Sequence, residues 1–173
     1  MIILITGASH TGKTLLAQRL LEKYCYPCLS IDHLKMGLIR SGYTDLTPED
    51  DDALTGYLWP VVREMVKTAV ENSQNMIVEG CYIPPDWRRD FDDWYLPHIR
   101  FICLAMTEQY IRDHFAEIAV HESEIESRFI DTGLSADGLV KDNEAVISAF
   151  QRAGEQVVLI DSDFNQTLTG LLA

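Results

Sequence analysis

Residues 2–14 read Ile-Ile-Leu-Ile-Thr-Gly-Ala-Ser-His-Thr-Gly-Lys-Thr, a short apolar run followed by a glycine-rich segment. The run Ile2 to Ile5 is rich in β-branched residues, as expected of a strand that is buried on both faces. From Lys13 to Tyr24 the apolar residues recur at helical spacing. The stretch therefore predicts a strand, a loop and a helix in direct succession.

The loop has the spacing G-x-x-x-x-G-K-[ST]. Its glycines let the backbone curl so that successive amides point at an anion, and the helix that follows adds its positive end. Lys13 can reach the β- and γ-phosphates of a nucleotide and act in catalysis, while the Thr14 hydroxyl can join the shell of a magnesium ion. The loop therefore predicts a site for ATP with Mg²⁺. Its residues are Gly7, Ala8, Ser9, His10, Thr11, Gly12, Lys13 and Thr14.

The composition is ordinary for a globular protein, with 173 residues of which 47% are hydrophobic and 24% are charged. We expect residues 1–173 to form a single domain. Asp and Glu outnumber Lys and Arg by 27 to 14, which gives a formal net charge of −13. Such a surface repels a phosphate backbone and anionic lipids, so we expect neither a nucleic-acid nor a membrane partner. The absence of a basic leader or a long apolar run predicts a cytoplasmic protein.

Apolar runs alternate with helical patterns along the rest of the chain. Five runs predict strands, over residues 2–5, 28–31, 76–78, 99–105 and 157–160. Among the helical patterns between them, the one at Thr47-Pro48 starts with a capping threonine, a proline and acidic residues. Strands that alternate with helices predict a parallel sheet covered on both faces, which is an α/β domain of three layers.

Carboxylates follow two of the predicted strands. Asp32 comes directly after the second strand, where it can accept a proton from an attacking hydroxyl or orient it; the alternative role is a helix N-cap. Glu79 ends the third strand, which suits a residue that organises magnesium or reaches the acceptor. Both are candidate catalytic and substrate-binding residues, and Glu79 joins Thr14 as a candidate for binding the metal.

With this loop and this order of elements, the chain resembles the small P-loop kinases. That superfamily includes nucleoside monophosphate kinases, shikimate and gluconate kinases, chloramphenicol phosphotransferase, zeta toxins and 2-phosphoglycerate kinases. The pattern Val78-Glu79-Gly80, with Pro85 five residues on, is similar to the last of these, and Asp32 resembles the base of zeta toxins. The resemblance implies a five-stranded parallel sheet of order 2-3-1-4-5 with the substrate pocket above the carboxyl ends of the strands.

The resemblance also suggests roles for several arginines. Arg40 resembles the arginine that monophosphate kinases place on the acceptor phosphate, and Arg88 and Arg89 follow the third strand, where relatives also bind the acceptor. Arg112 and Arg128 flank the region where relatives carry a lid, which makes Arg112 a candidate for catalysis and nucleotide binding and Arg128 for substrate binding. The interval 117–126 is acidic, however, and lacks the closely spaced arginines of adenylate kinases. Solvated arginines on surface helices are the alternative reading.

Together these features predict an ATP-dependent kinase that transfers the γ-phosphoryl group to a hydroxyl or phosphate of a small molecule. A nucleoside monophosphate kinase is one alternative, and a nucleotide-dependent switch that hydrolyses slowly is an alternative of another class. The chain contains no Asn-Lys-x-Asp sequence, which argues against a switch that reads guanine. The identity of the acceptor stays open at this point.

Overall fold

A central parallel sheet of five strands organises the chain in a computed structural model that describes residues 1–125 and 134–172, with backbone only for residues 121–125. The strand order is β2-β3-β1-β4-β5, and every neighbouring pair is parallel. The strands are β1 Ile2–Gly7, β2 Cys28–Ser30, β3 Met76–Glu79, β4 Ile99–Met106 and β5 Val157–Ile160. The order 2-3-1-4-5 expected from the sequence is confirmed.

Helices connect the strands and cover the sheet. They are α1 Lys13–Tyr24, α2 Ile31–Arg40, α3 Asp51–Glu71, α4 Glu108–Ile125, α5 Ala136–Arg152 and α6 Phe164–Gly170. Two short 3-10 turns, Trp87–Asp90 and Leu96–His98, lie between β3 and β4. Within the described ranges, no helix combines the length and the apolar character that crossing a membrane requires.

The side chains of β1 alternate between two cores because successive residues of a strand point to opposite faces. Ile3 and Ile5 pack with α1 and α6 on one face, whereas Ile2 and Leu4 pack with α3 on the other. A third cluster joins the end of β4 to α4 and α5. The sheet is thus covered on both faces, as the continuous apolar run of β1 predicted.

Three connections meet at the carboxyl-terminal edge of the sheet. Glu79 at the end of β3 is level with Ile5 of β1 on one side and with Ser30 of β2 on the other. The glycine-rich loop leaves β1 just beyond this level, and α2 starts directly after Ser30. The register therefore places the loop, Glu79 and the first turn of α2 beside one another.

The third helix begins later than the sequence pattern predicted. It starts at Asp51 rather than next to Thr47, because the Asp50 carboxylate accepts hydrogen bonds from the Thr47 amide at 2.8 Å and hydroxyl at 2.9 Å. These bonds form a turn before the helix. The helix then continues through Pro60 to Glu71.

Candidate functional site

The start of the glycine-rich loop is fixed against β4. Gly7 has φ +140°, and a Cβ at this position would lie 2.0 Å from the carbonyl oxygen of Leu104. The amide of Ala8 donates to the same carbonyl at 3.0 Å. Only glycine can adopt this conformation at this distance from a neighbouring strand, so the residue type at position 7 follows from the backbone.

The end of the loop is equally constrained. Gly12 has φ +79°, and a Cβ there would lie 2.5 Å from the ring of Phe164 in α6. Gly12 is also the N-cap of α1, and no side chain caps this helix. The amides of the first turn therefore face the loop, where they and the positive end of the helix favour an anion.

Lys13 lies inside the curve of the loop. Its side chain is almost buried, with the residue 8% exposed, and its ammonium donates to the carbonyl oxygen of Ala8 at 2.7 Å. The Thr11 hydroxyl donates to the same oxygen at 2.8 Å. A carbonyl oxygen does not neutralise the ammonium, so its positive charge stays in the loop. Of the other loop residues, Ser9 is exposed and His10 is half-buried with φ +63°.

Thr14 and Glu79, which the sequence predicted as metal-binding residues, are in contact. The Thr14 hydroxyl donates to a carboxylate oxygen of Glu79 at 3.2 Å, and Glu79 is only 2% exposed. The described residues contain no group of three or more His, Cys, Asp or Glu side chains that could hold a metal by themselves. Magnesium usually binds one or two protein oxygens together with substrate phosphates, so a hydroxyl and a carboxylate beside a phosphate loop fit its requirements.

Asp32 lies in the first turn of α2 at the same edge of the sheet. The N-cap of this helix is Ser30, so Asp32 is not its cap, which was the alternative role. The contact between Ile31 and Gly80 holds the turn against β3: Gly80 has φ +153°, and a Cβ there would lie 2.9 Å from the Cβ of Ile31. Glycine after Glu79 therefore lets α2 start close to the end of β3.

A lysine and a tyrosine that the sequence analysis did not single out surround Asp32. The ammonium of Lys35 lies 2.9 Å from the Asp32 carboxylate and donates to the Tyr82 hydroxyl at 2.8 Å. The Tyr82 hydroxyl in turn donates to the carboxylate of Asp51, the first residue of α3, at 2.9 Å. We call these four residues the acceptor-side network. The sequence contains one indication of this network: Lys35 comes three residues after Asp32, a spacing that places both on one face of a helix.

The electrostatics of this network follow from its burial and its pairing. Burial alone would lower the pKa of Lys35, but hydrogen bonds to Tyr82 and Asp32 outweigh this effect and raise it. Burial is the main cause that raises the pKa of Tyr82 to about 12, which the bond to Asp51 reinforces and Lys35 opposes. At neutral pH Lys35 is therefore charged and Tyr82 keeps the proton that it donates to Asp51.

The structure gives Arg88 and Arg89 partners outside this network. The Arg88 guanidinium carbon lies 4.6 Å from the centre of the Trp87 ring. The guanidinium also forms a bidentate ion pair with Glu155, in which one hydrogen bond is 3.1 Å long. Glu155 is 5% exposed at its side chain and precedes β5, on the amino-terminal side of the sheet. Arg89 is 84% exposed and pairs with Asp86 at 3.4 Å. These contacts account for both arginines without an acceptor.

Arg40 is the last residue of α2 and is exposed. It lies eight residues after Asp32, which corresponds to about 12 Å along a helix that rises about 1.5 Å per residue. Asp32 and Arg40 therefore occupy opposite ends of α2, and only the first belongs to the edge of the sheet where the loop lies.

Arg112 is held by two carboxylates where α4 meets α5. It pairs with Glu108 one turn earlier at 2.8 Å and with Asp137 of α5 at 3.0 Å. Hydrogen bonds to these two residues raise the pKa of the guanidinium. Because α4 follows β4, its first turns lie at the same edge of the sheet as the loop. Arg128 lies outside the described residues.

The same architecture occurs in solved structures of small-molecule kinases. A gluconokinase from Sinorhizobium meliloti 1021 superimposes with a TM-score of 0.55 and 16% identity, over 98% of this chain and 88% of that chain. A deoxyadenosine kinase from M. mycoides, with the products dCMP and dCDP, gives a TM-score of 0.56 and 13% identity, over 99% and 97%. A shikimate kinase from Aquifex aeolicus gives 0.52 and 12%, over 99% and 94%.

Sequence comparisons add no closer relative, because no protein-family model and no curated protein matches the chain. The identities to the solved kinases are all low, so the likeness concerns the fold. Strand order, helices on both faces and the loop between β1 and α1 agree with that likeness. The chain therefore has the fold of the P-loop small-molecule kinases.

Proposed function

We propose that this protein is an ATP-dependent kinase that transfers the γ-phosphoryl group to a small-molecule acceptor. One observation carries the proposal: a phosphate loop that encloses Lys13 lies at the same edge of the sheet as the Thr14–Glu79 pair and Asp32. The loop accounts for the nucleotide, and the carboxylates account for the metal and the acceptor. We place the reaction in the cytoplasm, as expected from the sequence.

In this proposal the loop amides and the start of α1 bind the β- and γ-phosphates of ATP. Lys13 exchanges its bond to the Ala8 carbonyl for a phosphate oxygen and stabilises the charge that develops during transfer. Thr14 and Glu79 would hold magnesium, which when bound supplies charge neutralisation at the phosphate oxygens. The pairing of Thr14 with a nearly buried carboxylate supports this assignment.

Asp32 orients the acceptor hydroxyl and takes its proton in this proposal. The acceptor oxygen forms a bond to the γ-phosphorus, the bond from that phosphorus to the bridging oxygen of ADP breaks, and the hydroxyl proton moves to the Asp32 carboxylate. Lys35 fixes the rotamer of Asp32 through their contact of 2.9 Å. Arg112 can add charge near the transferred group only if it leaves Glu108 or Asp137, so we give it a secondary role.

Asp32→Asn tests the proposal, because asparagine keeps the shape of the side chain and cannot accept the proton. We expect transfer to a small-molecule alcohol to fall by about 100-fold or more, the range in which positioned bases contribute. The dissociation constant for ATP should change by less than about twofold. Asp93→Asn, which changes an exposed aspartate in the turn between β3 and β4, is the matched control and should leave both quantities unaltered.

The same measurement separates a kinase from a nucleotide-dependent switch. A kinase should release ADP faster when its acceptor is present, whereas a switch should hydrolyse ATP slowly whatever alcohol is added. If an acceptor still accelerates ADP release by the Asp32→Asn variant, the proposed role of Asp32 is rejected. Turnover that no acceptor accelerates would reject the kinase itself.

A further inference from the structure

Among the residues whose side chains are described, the acceptor-side network holds more carboxylates than cations. Asp32 and Asp51 are its carboxylates and Lys35 is its cation, while Glu79 pairs with Thr14 and is assigned to the metal. Lys13 belongs to the loop, where its charge serves the nucleotide. This balance of charge affects which molecules can bind beside Asp32, if the protein is the kinase proposed above.

The ammonium group of Lys35 already has partners within the network. Its ammonium contacts the Asp32 carboxylate and the Tyr82 hydroxyl, and it also lies 5.0 Å from the centre of the Tyr82 ring. The side chains of Lys35 and Asp32 are 12% and 18% exposed, so water screens this pair only in part. An anionic acceptor would have to draw Lys35 away from Asp32 and leave that carboxylate unpaired, which is costly in a half-buried site.

Of the other cations predicted to bind the acceptor, those that the structure describes pair or lie elsewhere. Arg88 pairs with the nearly buried Glu155, Arg89 pairs with Asp86 at the surface, and Arg40 lies at the far end of α2. A phosphate or carboxylate is usually recognised by an arginine guanidinium that donates two parallel hydrogen bonds to it. Within residues 1–120 and 134–172, for which side chains are described, the structure places no such arginine beside Asp32.

We propose that the acceptor is an alcohol without a phosphate or carboxylate group, either an uncharged polyol or an amino alcohol. Its reacting hydroxyl donates to Asp32, and a neighbouring hydroxyl or ammonium group interacts with the Asp51 side of the acceptor-side network. The excess of carboxylates attracts an ammonium group and repels an acid of the same carbon skeleton. The site therefore selects acceptors by charge.

The test compares three pools of alcohols that differ in charge, with the glucose, ribose and glycerol skeletons each present in more than one pool. The first contains uncharged polyols (glucose, ribose, glycerol and inositol), and the second contains amino alcohols (glucosamine, galactosamine and ethanolamine). The third contains the matching anions (gluconate, glycerate, glucose 6-phosphate and ribose 5-phosphate). ADP release by the full chain with magnesium and ATP is measured with each pool, and phosphorylated products are identified by mass. We expect acceleration of at least tenfold in the first or second pool.

The outcomes distinguish this inference from the proposal on which it rests. Acceleration by the anionic pool alone would overturn the charge selection and leave the kinase standing. Slow hydrolysis that no pool changes would contradict both. Acceleration by an uncharged or amino-bearing pool, with an added phosphoryl group on one of its members, would support both.

Asp51→Asn gives a second readout that depends on the charge alone. Asn keeps an oxygen that can accept the bond from Tyr82, and position 51 is exposed, so we expect the fold to persist. The ratio of kcat/KM for an amino alcohol to that for the matching uncharged alcohol should fall by about fivefold, as expected for removing one charge a few ångströms away in a partly hydrated site. Asp93→Asn should leave this ratio unchanged. An unchanged ratio in the Asp51→Asn variant would reject the contribution of Asp51 to the selection.

Discussion

Replacing Gly80 with alanine should disturb the contact that holds the first turn of α2 against the end of β3. Gly80 has φ +153°, a region that residues with a side chain avoid, and its added Cβ would lie 2.9 Å from the Cβ of Ile31. The backbone strain costs about 1–3 kcal/mol, and forcing a methyl group into this contact costs a further 1–3 kcal/mol or so. We therefore expect Gly80→Ala to lower the free energy of unfolding by about 2–6 kcal/mol.

Thermal and urea unfolding measure this loss. For a chain of this size a loss of 1 kcal/mol lowers the melting temperature by about 2–4 °C, so the decrease should be roughly 4–24 °C. Gly37→Ala is the matched control, because Gly37 lies within α2 and a Cβ there would meet nothing within 4 Å. Alanine at position 37 should stabilise the protein by about 0.5–1 kcal/mol, since glycine is unfavourable inside a helix. Equal stabilities of Gly80→Ala and wild type would refute the close approach of Ile31.

Three further predictions concern the loop, the acceptor-side network and the arginine outside it. Lys13→Ala should abolish ATP turnover while the melting temperature stays within a few degrees; unchanged turnover in a coupled assay would reject the role of Lys13. Tyr82→Phe should destabilise the protein below pH 10. Because the pKa of Tyr82 is raised to about 12, the stability difference should shift by about 2 kcal/mol in favour of the variant between pH 10 and 12. Urea unfolding across that range would show a constant difference if Tyr82 were not the group that titrates. Arg88→Met should lower the free energy of unfolding by roughly 1–3 kcal/mol, because Glu155 loses its partner, and should leave kcat/KM unchanged. A variant that loses activity but keeps wild-type stability would place Arg88 in the site.

The glycine-rich loop and the elements beside it were predicted correctly because their geometry depends on neighbouring residues. The apolar run of β1, the glycines at positions 7 and 12 and the start of α1 follow one another directly, so their geometry is encoded locally. The strand order came from the resemblance to P-loop kinases, and the parallel pairing in the structure agrees with it. The proximity of Thr14 to Glu79 also follows, since parallel strands end at one edge of a sheet.

The parts that the sequence analysis missed depend on distant residues. Arg88 was a candidate for the acceptor because it follows β3, but its partner Glu155 comes 67 residues later in the chain. The network around Asp32 likewise depends on Tyr82, which lies 47 residues after Lys35. No local pattern marks such pairs, because only the packed fold brings them together.

The central claim is that the protein moves the γ-phosphoryl group of ATP to an alcohol rather than to water. The direct test incubates the full chain with magnesium, small-molecule alcohols and ATP whose γ-phosphate carries ¹⁸O, and follows the label by mass spectrometry. The account predicts a labelled phosphoryl group on one of the alcohols, formed by the wild type and not by Lys13→Ala. Recovery of all the transferred label as inorganic phosphate would contradict it.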